Sequence, residues 1–257
     1  MTGRSEWWET FFDQKYLDEY EPHFGLENDR REVARLVDIL ELHAGARVLD
    51  APSGQGRHSH LLAEAGFDVD GLDYSRVLIN AAEKRGTGPN LRYTVGDMRK
   101  MPNRWRNRFD AVLNLFTSFG FFDHPDEDEL VVKEFARVLR PGGVLIWQGG
   151  SRDGIMAQFL SKDWWRGGKN RLYAQQRSFD QLSGILTVRS TWSEKGKVQE
   201  REHRIRLYNA SQLSEMFRRH GLVVEQAFDG RVDRPLTRRS SEMLLVARKA
   251  TAERTVK

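Results

Sequence analysis

The feature that most constrains this chain is an alternation of short apolar runs with helical patterns across residues 46–150. "ARVLDA" (Ala46–Ala51) reads as a short buried strand, and "RHSHLLAEAG" (Arg57–Gly66) as a helix closed by glycine. "FDVDGLD", "NLRYTVGD", "RFDAVLNLF" and "VLIWQGG" continue the strands, and "SRVLINAAEKRG" and "HPDEDELVVKEFARVLRPGG" the helices between them. In the last helix Pro125 suits the first turn, and Asp126 to Glu129 suit the positive end of the helix dipole. Such a rhythm predicts an α/β fold: a doubly wound, mostly parallel seven-stranded sheet with helices on both faces. Upstream, Val33, Leu36, Val37 and Leu40 recur at helical spacing, with Asp29 and Glu32 as a capped start.

The rhythm breaks between Ser151 and Tyr208. "RLYAQQRSF", "ILTVRSTWS" and "VQEREHRIRLY", separated by "DQLSG" and "EKGK", predict an inserted antiparallel β-meander of three strands. In its third strand neither alternating face is apolar, which suits a cover over a crevice. Trp164, Trp165, Arg171 and Arg204 are its candidate contacts. A dimer interface is the competing reading, since exposed edges invite pairing. "SQLSEMFRRHG", "LVVEQAFD" and "SEMLLVARK" complete the sheet, and residues 250–257 read as a frayed tail. The expected divisions are an N-terminal helical flap (1–44), a nucleotide-binding core (45–150), a substrate-side insertion (151–208) and the C-terminal part of the core (209–257).

A strand, a Gly-x-Gly loop and a helix make a nucleotide site. In a dinucleotide enzyme a third glycine would stand three positions after Gly56, and here that position is Ser59. Asp50, four residues before Gly54, would also face the two charges of a pyrophosphate, an arrangement that costs energy in a desolvated site. A cationic ligand reverses the sign, and S-adenosylmethionine carries a sulfonium and an ammonium. Asp73 and Asp97 end the next two strands, so the three carboxylates line one crevice. Asp73 can accept from ribose hydroxyls and Asp97 from an adenine amino group.

On these residues the chain resembles the class I S-adenosylmethionine-dependent methyltransferases of small-molecule type. "VLDAPSGQGRH" is similar to their motif I, "GLDYS" to the acidic motif after it, and "VGDMRKMP" to the adenine-binding motif. "FDAVLNLFTSFGFF" with "EFARVLRPGGVLIW" resembles the fourth-strand and "LKPGG" region. The departure is Pro52-Ser53, where many members carry Gly-Cys or Gly-Ser. The resemblance implies S-adenosyl-L-methionine as cofactor. Ser53, Gly54 and Gly56 would lie against its methionine portion, with Asp50 beneath, and the Leu115 carbonyl would accept from the ammonium. Asp73 would hold the ribose, with Tyr74 beside the adenine and Asp97 and Met98 at its edge. It also implies an N-terminal flap, with Tyr16 or Tyr20 near the sulfonium and Trp7, Trp8, Phe11 and Phe12 as anchors.

Methyl transfer needs alignment and water exclusion, and a base only where the acceptor carries a proton. His124, just past the fourth strand, is the candidate base, with Tyr16 the second catalytic candidate; a helix cap is the competing role for His124. His58 and His60 read as surface or packing residues, His203 as exposed, and His23, His43 and His220 as loop or helix-end residues. No cluster has metal-ligand spacing, so no metal is expected.

The chain lacks cysteine, which excludes disulfides and thiolate sites. The start, "MTGRSEWWETFFDQ", lacks the order of a signal peptide, and no apolar run suits a membrane span, so a cytoplasmic protein without membrane contact is expected. Net charge is −5 over residues 1–30, −1 over 31–150 and +10 over 151–257. That basic excess reads as a solvated face, or as attraction for an anionic acceptor or nucleic acid. The leading expectation is methyl transfer to the nitrogen or oxygen of a small molecule. An RNA methyltransferase is the alternative, though no RNA-binding module is evident. A non-catalytic cofactor-binding partner protein is the third.

Overall fold

The structure is a computed structural model that describes residues 6–20 and 24–251. His23 and residues 252–257 of the expected tail lie outside the described residues. A seven-stranded sheet forms the centre, in the order β10-β11-β5-β4-β1-β2-β3. Its strands are β1 (Arg47–Asp50), β2 (Asp68–Asp73), β3 (Leu91–Val95), β4 (Phe109–Asn114), β5 (Leu139–Gly150), β10 (Leu222–Asp229) and β11 (Glu242–Lys249). β1, β2, β3, β4 and β5 pair in parallel, while β11 runs antiparallel to both its neighbours. The expected sheet is therefore present.

Alternate residues of one strand feed two cores. Leu49, Leu72, Val112 and Leu145 face α6 (Pro125–Val138) and α8 (Ala210–Arg219), packing with Phe135, Leu213 and Phe217. Val48, Val69, Ala111 and Ile146 face α3 (Leu26–Leu40) and α4 (Arg57–Glu64), packing with Leu36 and Leu62. All six residues of β4 are buried, as a strand covered on both faces requires. Each fully buried aliphatic or Phe side chain contributes about 1.5–3 kcal/mol of transfer free energy. α5 (Arg76–Arg85) starts on Ser75, whose Oγ accepts from Leu78 N at 3.3 Å.

Three sequence expectations need correction. α3 begins at Leu26, with Gly25 at its N-cap, so Asp29 and Glu32 lie inside it. Asp29 is buried there against the Arg57 guanidinium, a long-range pairing with no local signal. The segment 151–208 also holds a short helix, α7 (Arg152–Ala157). Its antiparallel sheet has four strands, in the order β6-β7-β8-β9. They are β6 (Lys162–Arg166), β7 (Leu172–Phe179), β8 (Ile185–Glu194) and β9 (Lys197–Arg206). The extra edge strand is "KDWWR", hidden by the glycines after it. Its Trp165 stacks on Tyr173 with centroids 5.0 Å apart and an interplanar angle of 21°.

This second sheet is polar toward its outer end, but where it meets the main sheet Leu186, Val188, Ile205 and Leu207 form a small core. The join is electrostatic as well. Arg206 donates from Nη1 to Asp128 Oδ2 at 2.9 Å and to the Phe122 carbonyl at 3.1 Å. The Tyr208 hydroxyl donates to the same carboxylate oxygen at 2.7 Å. Asp128 lies in α6 and is fully buried. Removing one member of a buried pair strands the other charge. Asp128→Ala is therefore expected to lower stability by about 3–5 kcal/mol, read as the shift of a urea unfolding midpoint. A shift below about 1 kcal/mol would show that the insertion does not rely on this join.

Candidate active site

The carboxyl ends of β1, β2 and β4 open into a cleft. Asp50, Ser53, Gly54, Asp73, Tyr74 and Asp97 line it, and so do Met98 and Leu115. Eight of the residues singled out from the sequence are thus brought together. The loop between β1 and α4 carries a cis Ala51–Pro52 peptide and turns through two left-handed glycines, Gly54 (φ 54°) and Gly56 (φ 72°).

The two glycines serve different purposes. A Cβ on Gly54 would point into open space within the cleft, so the position keeps the ligand side of the loop clear. A Cβ on Gly56 would lie 2.3 Å from the Tyr93 hydroxyl and 2.9 Å from the Ala82 methyl. Gly56 is not among the residues that line the cleft, and its bare α-carbon serves the close packing of loop, β3 and α5.

Asp50 is buried, and its Oδ2 accepts from Ser59 Oγ at 2.6 Å. Burial pushes its pKa up, opposed by His58 and the Ser59 hydroxyl. Asp73 accepts from Gly54 N and from Ser75 N, each at 2.8 Å. Burial raises its pKa to about 6 in spite of those two donors. Asp97 is held differently. Its carboxylate takes Arg99 Nη2 at 2.7 Å, while Arg99 Nη1 reaches Glu127 at 2.6 Å. The same guanidinium sits 4.4 Å over Phe122 and 5.1 Å over Trp8. Ser53 Oγ is buried in the cleft wall without a partner, a polar atom available to a ligand.

The floor beside β4 holds residues that the sequence did not single out. Phe116 and Thr117 both have positive φ, 58° and 59°. Left-handed non-glycine residues in succession mark local strain at a functional loop. Asn114 closes this loop by donating to the carbonyls of Ala51, at 2.9 Å, and Ser118, at 3.2 Å. Arg57 lies 4.6 Å over the Phe116 ring and 3.0 Å from Glu32, which also holds His58 at 2.7 Å. Arg57 and His58 are buried and line the cleft, so of the surface and packing readings of His58 the burial favours packing. The loop "FTSFGFF" offers no glycine at its strained positions, and hence no signal.

Trp8, Phe12 and Tyr16 complete the wall from α1 (Trp7–Phe11) and α2 (Gln14–Tyr20). Ser75 Oγ donates to the Phe12 carbonyl at 2.6 Å, and Trp7 Nε1 to the Phe121 carbonyl at 3.1 Å. Tyr74 meets Trp8 edge-on at 4.7 Å. A second cleft adjoins the first, and Phe12, Tyr16, Phe116, Ser118 and Phe121 line both. Of the two clefts Tyr20 lines the second, while Tyr16 lines both. Burial raises the Tyr16 pKa far above its ordinary value, so its hydroxyl stays neutral where it faces both clefts. His124 is exposed at the N-cap of α6 and lines neither cleft; the sequence placed it near the fourth strand's end, but its backbone is committed to starting the helix. His203, expected on the surface, is instead partly buried in the second cleft, with the ring of Phe11 at 5.2 Å.

Of the expected insertion contacts, Trp164, Trp165, Arg171 and Arg204 do not line either cleft. Arg171 pairs with Glu194 and Arg204 with Asp123, while Leu186, His203 and Ile205 form that wall.

Residues 48–143 match the family model of a methyltransferase domain. By that match this segment is a methyltransferase domain. The chain is 36% identical over 129 residues to a glycine/sarcosine N-methyltransferase of Aphanothece halophytica, covering 49% of each chain. It is 36% identical over 118 residues to a dTDP-3-amino-3,4,6-trideoxy-alpha-D-glucopyranose N,N-dimethyltransferase of Streptomyces venezuelae, covering 45% of this chain and 48% of that one. The chain thus spans about half the length of the curated relatives it matches. Over the whole fold it resembles the CcbJ methyltransferase of Streptomyces caelestis, with a TM-score of 0.74, 23% identity and coverage of 87% and 90%. Among solved structures of like fold, that of CalS10, an amino pentose methyltransferase from Micromonospora echinaspora, is bound to S-adenosylmethionine; its TM-score is 0.67, with 22% identity and coverage of 86% and 92%. The cleft fits that molecule in kind: unpaired Ser53 Oγ, two buried carboxylates for cationic or hydroxyl groups, and apolar walls.

The packing role of Gly56 is testable. Gly56→Ala is expected to destabilise the domain by about 1–3 kcal/mol through overpacking and positive φ. Tyr93→Phe should restore part of that loss in thermal unfolding. If Gly56→Ala is neutral for stability but abolishes cofactor binding, the position acts through the ligand and not through packing.

Proposed function

We propose that the chain is an S-adenosylmethionine-dependent methyltransferase acting on the nitrogen or oxygen of a small molecule. The observation that carries this reading is the pair of adjoining clefts with a shared wall, one acid-lined and one largely apolar. Asp73 would accept from the ribose hydroxyls, Asp97 and Met98 would lie at the adenine edge, and Tyr74 would flank the ring. Asp50, Ser53 and Gly54 would hold the methionine portion beside the Leu115 strand end. The cofactor supplies an activated methyl group; the chain's part is to hold both reactants in line and keep water out.

The arrangement of charge supports a small acceptor over RNA. The arginines of the last two-fifths are largely spent on nearby acids. Arg201 holds Asp13 at 2.6 Å, Arg219 holds Glu129 at 2.9 Å, Arg231 holds Glu242 at 2.8 Å, and Arg234 holds Asp229 at 3.0 Å. Such pairing leaves little unscreened positive field for a phosphate backbone, and it weakens the expectation of an anionic acceptor as well. Among the described residues no helix is long and apolar enough to cross a membrane.

Incubation with methyl-labelled S-adenosylmethionine and a fractionated cell extract tests the reading. Label is expected in the low-molecular-weight fraction. Label confined to RNA would install the alternative, and failure to bind the cofactor in calorimetry would overturn the proposal.

Asp73 also predicts a pH dependence. Its carboxylate, with pKa raised to about 6, must be ionised to accept from two hydroxyls. Cofactor affinity is therefore expected to fall as pH drops through 6, and to be weaker but flatter in Asp73→Asn. Asp73→Ala should lose about 10- to 100-fold in affinity, the equivalent of about 1.5–3 kcal/mol for a hydrogen bond to a charged group. Asp50→Asn should weaken binding of the cationic cofactor; tighter binding of NADH by that variant would favour a dinucleotide site.

A further inference from the structure

We propose that His203 takes the proton released by the methyl acceptor, and that the acceptor is an apolar-bodied molecule presenting a single O–H or N–H group to it. This inference rests on the methyltransferase reading. His203 stands on β9, in the wall of the second cleft, with Phe11 at 5.2 Å and Trp7 at 5.9 Å. The other histidine among the described residues that lines either of these two clefts, His58, is bound to Glu32. Neither ring nitrogen of His203 has a hydrogen-bond partner among the described residues, so a lone pair is open to a ligand in the cleft.

The surroundings decide what can enter. Apart from His203, the cleft walls are mostly apolar: Phe11, Phe12, Phe121, Leu186, Ile205 and Leu207. Arg231 and Glu242 also lie on its lining, paired with each other through Arg231 Nε at 2.8 Å. Against the apolar walls a zwitterion would lose much of its hydration, at a cost that an apolar body avoids.

The protonation state of His203 follows from its neighbours. Burial lowers its pKa to about 4, and Arg201 on its own strand and Arg177 on β7 add to that, against Glu202. From the flap, Asp13 and Glu19 face the same region but are directed at Arg201, at 2.6 and 3.5 Å, while Tyr16 stays neutral. The ring is therefore proton-free throughout the physiological range. In the reaction the acceptor's oxygen or nitrogen lone pair forms a bond to the methyl carbon. The carbon–sulfur bond breaks, and its electron pair stays on sulfur. The O–H or N–H proton passes to the free ring nitrogen of His203 and leaves to solvent with product. One positive charge is lost at sulfur as one appears on the imidazole, so the net charge within the clefts is conserved. That offsets the weakness of a base with a lowered pKa.

The test compares wild type, His203→Gln and His203→Ala with 4-propylphenol, 2-phenylethylamine and glycine as probes. Calorimetry first establishes S-adenosylmethionine binding; its failure in wild type sinks the methyltransferase reading itself. With binding intact in all three proteins, label transfer to one of the apolar probes by wild type should fall about 100-fold or more in His203→Gln. Added imidazole should restore part of it in His203→Ala. A readout independent of turnover is proton NMR with histidine-labelled protein: the His203 resonance should titrate near 4 and shift on adding the apolar probe. The proposal is overturned if glycine is the best acceptor, if no apolar probe binds or is methylated, if His203→Gln keeps turnover within threefold, or if the resonance titrates near 6.5 without responding to the probe.

Discussion

Everything at this site follows from burying two carboxylates, Asp50 and Asp73, in one crevice. Desolvation works against both charges, and it is offset by donors that the chain fixes in advance: Ser59 Oγ for one, the amides of Gly54 and Ser75 for the other. Those amides are in place only because the loop turns through Gly54 and Gly56, and Gly56 is possible only because Tyr93 and Ala82 fit against a bare α-carbon. The strand register of β1, β2 and β3 then aligns the acids at one edge. Site chemistry and sheet packing are one arrangement, which is why the cleft needs no metal-like cluster to be polar.

Much of this was legible from residue order. Apolar runs with period switches place strands and helices, and Asp50, Asp73 and Asp97 at strand ends mark the crevice. What was not legible depended on distant pairing. Asp29 reads as a cap until Arg57 is seen against it. "KDWWR" reads as a loop until Tyr173 stacks on Trp165. His203 alternates with charges along its strand, yet it faces Phe11, nearly two hundred residues away in sequence. His124 shows the reverse error: proximity to a strand end in sequence suggested chemistry, while the backbone there is engaged in starting a helix.

The charge distribution carries the same lesson at larger scale. An acidic start and a basic end suggest a polar molecule with a binding face. In the fold Asp13, Asp18 and Glu19 of the flap lie against Arg201 and Lys169 of the insertion, so opposite ends of the chain neutralise each other. The asymmetry is used for assembly of the fold, and what remains for ligands is local.

The flap that joins these ends walls both clefts, with Phe12 and Tyr16 facing each. A wall shared in this way cannot move for one occupant without moving for the other. Whatever free energy one occupant gives to closure is therefore given to its neighbour also, and by thermodynamic reciprocity in equal measure. A change at Phe12 or Tyr16 is therefore felt in both clefts at once, whichever of them it was aimed at.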